Sequence, residues 1–296
     1  MNDRGSSTAY SDREWQTADG LTLFARDYAA VEGPARLPII CLHGLTRNSR
    51  DFAQVAPWLS SLGYRVLVPD VRGRGESDYD ANSANYLPKT YAKDVLGLMD
   101  ALGIGRAIFI GTSMGGIITM AVAAIRSKAI AAAILNDVGP IVAPQGLKRI
   151  MSYAGKSTDV TSWAEAVDYV KGTGGAAYPA FSDADWRTFA ETTFREDQGR
   201  IVLNYDTGIM EPIRRGKVKA PGWLAWLMFR RLARRRPVML VRGAISDLIT
   251  PEIALRMKKA APHLQVAEVP GIGHAPMLTE PVAKQEIASF LRSLGR

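Results

Sequence analysis

The chain has one cysteine, Cys41, and this excludes an internal disulfide. Cys41 stands in the apolar run LPIICLHG, where a small buried hydrophobe is expected and a reactive thiol is not. No apolar stretch approaches the roughly 18 residues of a membrane-spanning helix. The N-terminal segment MNDRGSSTAYSDREW lacks an apolar signal core, so a cytoplasmic protein is expected. Histidine is scarce, with only His43, His263 and His274, and no His/Cys/Asp cluster suggests a metal site. There is no internal repeat and no low-complexity segment.

What is present is ordinary for a globular protein. The 296 residues are 47% hydrophobic and 22% charged. That suits one large domain with an insertion, or two domains, with a core large enough to need no staples. The net charge is +8, from 37 basic and 29 acidic residues. It is unevenly spread: Pro212 to Ser246 holds ten Lys or Arg and no Asp or Glu. Such a run raises the question of a nucleic-acid partner. It carries no DNA- or RNA-binding signature, and none is expected.

Periodicity organises the chain. Residues 10–29 alternate around an Ala-Asp-Gly turn and read as a β-hairpin. RLPIICLHG (36–44) and YRVLVPD (64–70) are apolar strands. Between them DFAQVAPWLSSLG (51–63) has helical spacing, with Gly63 as its stop. In 86–104 a helical stripe joins Tyr91, Val95, Leu98, Met99 and Leu102. RAIFIG (106–111) is a strand, SMGGIITMAVAAIRS a helix and AIAAAILND (129–137) another strand. Continuous apolar strands alternating with helices predict a mostly parallel sheet covered on both faces.

The alternation stops at Ile141. Up to Arg236 no run looks like a core strand, and several helical segments appear. This third of the chain holds twelve of its 24 aromatic residues. The sheet then resumes with 236–243, a helix capped by Thr250 with Pro251 next, the strand 264–270 and a closing helix from Pro281.

Candidate chemistry centres on FIGTSMGG (109–116). A serine hydroxyl is a poor nucleophile unless a base lies within hydrogen-bond reach and another group orients that base. Gly111-Thr112-Ser113-Met114-Gly115 follows a strand and opens a helix, as a G-x-S-x-G elbow requires. Residues flanking so tight a turn must be tiny. The competing reading is a packing turn whose serine caps the helix; a phosphate loop is disfavoured because no Gly-Lys-Ser/Thr ending follows. Of the three histidines, His274 lies in VPGIGHAPML, after the last strand, in a loop able to present an imidazole. His263 sits in an exposed connection. His274 is therefore the expected base. For the acid, Asp247 just beyond the strand 236–243 is preferred; Asp137, after the preceding strand, is the rival.

The order Ser113, Asp247, His274 resembles the α/β-hydrolase superfamily, from about residue 12 to 293. The supporting motifs are LHGLT (42–46), VLVPDVRGRGESD (66–78), GTSMGG (111–116), RGAISDLITPE (242–252) and GIGHAPML (271–278). The resemblance implies an eight-stranded mostly parallel sheet, formed by residues 1–140 and 237–296. It implies a helical cap inserted after strand 6, at 141–236. It also implies oxyanion donors from the backbone N–H groups of Leu45 and Met114, with His43 a structural residue of its loop. Asp70, Arg72 and Asp78 are then scaffold residues. The branch resembled is that of capped esterases, lactonases and C–C hydrolases.

Serine at 113 argues against epoxide hydrolases and haloalkane dehalogenases, which carry Asp there, and against dienelactone hydrolases, which carry Cys. Leu45, where cofactor-free haloperoxidases often have an aromatic, weakens that option. Ala275 and Pro276, where many C–C hydrolases have Trp after the histidine, weaken the carbon–carbon reading. A serine hydrolase of carboxylic esters or lactones is expected, needing no metal or organic cofactor. A non-catalytic binding module is the remote alternative. The aromatic insertion suggests a small-molecule substrate with an apolar or aromatic group. Within GWLAWLMFRRLARRR (222–236), Trp223, Trp226 and Leu227 are expected to pack inward, with solvated arginines complementing the helix dipole; a membrane-surface helix is the competing reading.

Overall fold

A computed structural model describes residues 10–31, 36–217 and 222–295. The first nine residues of the segment searched for a signal, and Lys219 of the basic run, lie outside the described residues.

Strands β1 (Ser11–Gln16) and β2 (Thr22–Tyr28) form the expected antiparallel hairpin, with Ser11 opposite Asp27 and Gln16 opposite Thr22. There follow β3 (Ile39–Leu42), α1 (Val55–Ser61), β4 (Val66–Pro69), α2 (Pro88–Ala101), β5 (Ala107–Thr112), α3 (Met114–Ile125) and β6 (Ile130–Asn136). The insertion then supplies α4 (Pro144–Tyr153), α5 (Trp163–Gly174), α6 (Asp183–Thr193), β7 (Phe194–Asp197), β8 (Arg200–Leu203), α7 (Glu211–Arg214) and α8 (Gly222–Ala233). The chain closes with β9 (Val238–Gly243), α9 (Pro251–Ala260), β10 (Gln265–Val269) and α10 (Pro281–Ser293).

Eight strands form one sheet in the order β1-β2-β4-β3-β5-β6-β9-β10. β2 meets β4 antiparallel, and from β4 to β10 every pairing is parallel. Successive side chains of a strand point to opposite faces. Ile40, Leu42 and Phe109 therefore join one buried cluster with Tyr91 and Val95 of α2 and Ile118 of α3. Ile39, Cys41, Ile108 and Ile110 join the other with Leu59 of α1 and Phe290 of α10. Both faces are covered, which is why these strands read as continuous apolar runs. Cys41 is fully buried, and burial pushes its thiol far above the usual range.

Two local features differ from the sequence reading. The helix expected over 51–63 begins as a 3-10 turn at Ser49–Phe52, and the α-helix starts only at Val55. Pro57 has no N–H and its ring would clash with the carbonyl of Ala53, so the helix cannot run through from upstream. Asn48 closes the 3-10 turn by accepting from Arg50 N. The insertion also holds a hairpin, β7–β8, turned at Gln198 and Gly199, which both have positive φ. It stands apart from the main sheet.

The inward reading of Trp223 and Leu227 is corrected. Trp223 is 70% exposed and Leu227 54% exposed. α8 packs on α3 through Phe229 and Leu232, both fully buried, with Trp226 against the same cluster. Burying two such side chains is worth about 2 kcal/mol each. On a helix, positions 223 and 227 lie opposite 229 and 232, so packing the second pair turns the first outward.

Candidate active site

β5 runs directly into α3, and Ser113 occupies the turn with φ 51° and ψ −112°. A non-glycine residue there is strained and must be held by its surroundings. Ser113 N donates to Asn136 O at 3.0 Å. A Cβ on Gly115 would collide with the Leu42 carbonyl, and one on Gly111 with the backbone of Gly115 and Gly116. These glycines let strand and helix close on each other and lift the hydroxyl above the sheet edge.

His274 lies in the loop after β10, and the insertion holds that loop. Gly273 N donates to Ala177 O at 2.7 Å. The Tyr178 hydroxyl accepts from Ala275 N at 3.2 Å and donates to Ala275 O at 2.7 Å. His274 Nε2 is 3.0 Å from Ser113 Oγ, and its Nδ1 is 2.7 Å from Asp137 Oδ2. With an ionised Asp137 the Nδ1–H donates to the carboxylate, and Nε2 is free to accept from the serine.

The structure therefore brings Asp137, not the preferred Asp247, to the imidazole. Asp137 follows β6 with φ 52° and is fully buried. Its Oδ1 accepts from Gly243 N at 3.1 Å, and its Oδ2 accepts from Ser246 Oγ at 2.6 Å. Asp247 instead takes both arms of Arg149 from α4, at 2.6 and 2.8 Å. The Arg149 guanidinium holds the Asp247 carboxyl below its usual range, against the opposing effect of partial burial.

Of the two residues expected to supply oxyanion donors, Met114 directly follows Ser113 and Leu45 lines the same cavity as the serine. Met114 is the first residue of α3, where backbone N–H groups have no partner within the helix. Leu45 follows Gly44, whose Cβ, if it had one, would touch that of Ser113. Arg74, wholly buried, ties the two together. Its Nε donates to Leu45 O at 3.1 Å, and its Nη2 lies 3.5 Å from Met114 Sδ. Nothing in the sequence motif singled out Arg74 or Tyr178, because their partners are remote in the chain.

His43 is fully buried and away from the reacting atoms. Its Nδ1–H donates to Gly44 O at 2.8 Å and its Nε2 accepts from Val71 N at 3.0 Å. Burial pulls its pKa down to about 3. The other scaffold residues behave as expected. Arg72 joins Asp94, Asp80 and Asp19. Asp70 accepts from Ser49 N and Glu76 N, and Asp78 accepts from Thr22 N.

A cavity of about 120 Å³ opens over Ser113 and His274. Its insertion-side wall includes Arg149, Tyr153, Tyr169, Tyr178, Phe189 and Tyr205. Arg47 lines it from the core, paired with Asp51 and stacked on Phe189. Among the described residues no group of three or more His, Cys, Asp or Glu is placed to hold a metal ion, and no helix is long and apolar enough to cross a membrane.

A serine, a histidine and a buried carboxylate at the C-terminal edge of such a sheet is the arrangement of a hydrolase. Residues 38–281 match the family model described as alpha/beta hydrolase fold. The chain belongs to that family. It is 35% identical over 250 residues to the 3-hydroxybutyrate-oligomer hydrolase of Cupriavidus necator, covering 82% of this chain and 84% of that protein. It is 25% identical over 253 residues to the sn-1-specific diacylglycerol lipase ABHD11 of Mus musculus, covering 83% and 78%. The crystal structure of an alpha/beta hydrolase from Novosphingobium aromaticivorans is 38% identical and covers 97% of this chain and 99% of that one, with a TM-score of 0.88. These relatives place the chain among the carboxylic-ester hydrolases.

Proposed function

We propose that Ser113, His274 and Asp137 cleave carboxylic esters through an acyl-enzyme, and that short oligomers of hydroxyalkanoic acids are substrates. The observation that carries the reading is the position of one imidazole, 3.0 Å from the serine hydroxyl and 2.7 Å from a buried carboxylate.

In this reading Ser113 Oγ attacks the ester carbonyl as His274 Nε2 takes its proton. Asp137 fixes the tautomer and stabilises the imidazolium. The Leu45 and Met114 N–H groups hold the tetrahedral oxyanion. His274 returns the proton to the departing alkoxide, and the alcohol leaves. Water, deprotonated by His274, then attacks the acyl-enzyme; the acyl–Oγ bond breaks, His274 returns the proton to Ser113 Oγ, and the acid is released. Each step closes on these residues alone.

The substrate class rests on the likeness to the Cupriavidus necator enzyme and on the cavity. The cavity of about 120 Å³ over Ser113 is small, which suits a short hydroxyacyl unit. The segment 141–236 acts as the cap that shapes this space. The test is incubation with the 3-hydroxybutyrate dimer and trimer and with p-nitrophenyl butyrate, beside Ser113→Ala. Release of 3-hydroxybutyrate by the wild type alone is expected. Turnover of the p-nitrophenyl ester without turnover of either oligomer would remove the substrate assignment and keep the ester chemistry; no turnover of any ester would remove both.

A further inference from the structure

The solvent-facing stripe of α8 is the feature that the active site leaves unused. Trp223, Leu227, Arg230 and Arg231 are all exposed and follow one another at i, i+4, i+7 and i+8, with Arg234 continuing the line just past the helix end. They therefore share one side of the helix. The opposite side is anchored on α3 by Phe229 and Leu232, so the stripe cannot roll inward.

The stripe has two halves of different chemistry. Its N-terminal half presents an indole and an isobutyl group to solvent. Its C-terminal half lines a cleft formed with the end of α9, where Leu227, Arg230, Arg231, Arg234, Arg236 and His263 form the walls and no carboxylate does. Arginines 230, 231, 234, 235 and 236 form no ion pair among the described residues. Arg231 donates to Ala123 O and Arg236 to Ser127 Oγ, both neutral acceptors. Arg236 Nη1 is buried with no hydrogen-bond partner among the described residues. Burial lowers its proton affinity, and the charges of Arg106 and Arg231 add to that effect. Helix C-termini explain some of these cations. They do not explain a buried guanidinium edge without an acceptor, or the exposed tryptophan at the other end of the helix.

We propose that α8 docks this protein on an anionic lipid surface, with Trp223 and Leu227 entering the interface and the arginine cleft taking lipid phosphates. Exposed aromatic and aliphatic side chains sit at the boundary between headgroup and acyl chain, and arginines on the same face pair with anionic headgroups. Charge complementarity selects the partner, because the cluster has cations to spare and no acid of its own. Docking of this kind is independent of the chemistry at Ser113.

The experiment is co-sedimentation of the full chain with vesicles of phosphatidylcholine alone and of phosphatidylcholine with phosphatidylglycerol, at low and high salt. Binding to the anionic vesicles only, weakened by salt and accompanied by a blue shift of tryptophan emission, is expected. The double variant Arg230→Gln/Arg234→Gln is expected to weaken binding about tenfold or more. Trp223→Ser is expected to weaken binding and abolish the blue shift. Both sets lie outside the catalytic machinery, so turnover of a soluble ester serves as the check on folding. Three results would overturn the proposal: no sedimentation with anionic vesicles, binding that Trp223→Ser leaves unchanged, or arginine-dependent binding of inorganic phosphate alone, which would make the cleft a site for a soluble anion.

Discussion

Asp137 Oδ2 lies 2.7 Å from His274 Nδ1, although Asp247 is far nearer to His274 in the chain. The pairing follows from two turns at the same sheet edge. The positive φ of Asp137 aims its carboxylate across β9, where Gly243 N and Ser246 Oγ hold it. Asp247, one turn further on, is drawn to Arg149. Asp137→Asn should therefore lower kcat by a factor on the order of 10⁴, as loss of the orienting acid does in a serine triad. Asp247→Asn should change kcat by less than about tenfold and act mainly on KM, since its partner lines the cavity. Steady-state kinetics on one soluble ester decide between them.

Tyr178 reaches from the insertion to both backbone groups of Ala275, next to the base. Tyr178→Phe keeps the ring and leaves a buried N–H and C=O without partners, at a cost of about 1–3 kcal/mol. The expected result is a kcat about tenfold lower with KM nearly unchanged, and a melting temperature a few degrees lower. An unchanged kcat with a lowered melting temperature would restrict the hydroxyl to a structural role.

Arg74 donates to the Leu45 carbonyl, in the loop whose Leu45 N–H is the proposed oxyanion donor. Arg74→Lys retains the charge but loses the planar fork that also reaches the Arg72 carbonyl and the Tyr91 hydroxyl. A fall in kcat of about tenfold or more is expected, with slower labelling by a fluorophosphonate. Circular dichroism of the variant checks that the fold is intact.

What was legible in the sequence followed distance along the chain. Ser113 could be read because its glycines, strand and helix are contiguous, and His274 because a loop between the last strand and last helix is a local feature. The parallel strands were legible because burial on both faces leaves unbroken apolar runs. The acid was assigned to Asp247 where the structure has Asp137 on the imidazole, because the pairing of Asp247 with Arg149, an insertion residue, leaves no signal in the sequence. Tyr178 and Arg74 were missed because the groups they hold, at Ala275 and Leu45, are remote in the chain. Trp223 and Leu227 were misplaced because hydrophobicity alone does not say which of two apolar faces of α8 meets α3.

His43 should make the protein sensitive to mild acid. Its folded pKa of about 3 lies below the ordinary value of 6.5. A depressed histidine pKa means that the fold holds the neutral form. The stabilisation is thus complete above about pH 6.5 and is lost as the pH falls towards 3. Protonation would also place a hydrogen on Nε2 against the Val71 N–H it now accepts. Stability should fall between pH 7 and 5 by up to about 1.4 kcal/mol per pH unit below the ordinary pKa. Denaturant titrations at several pH values measure this, and His43→Gln should flatten the slope.

The central claim is that one hydroxyl, Ser113 Oγ, is the nucleophile and is activated by His274. Reaction with a fluorophosphonate, followed by peptide mass mapping, tests it most directly. A single adduct on Ser113 is predicted, absent in Ser113→Ala, slowed by orders of magnitude in His274→Ala, and accompanied by complete loss of ester turnover. An adduct on another residue, or ester turnover that persists in Ser113→Ala, would contradict the account.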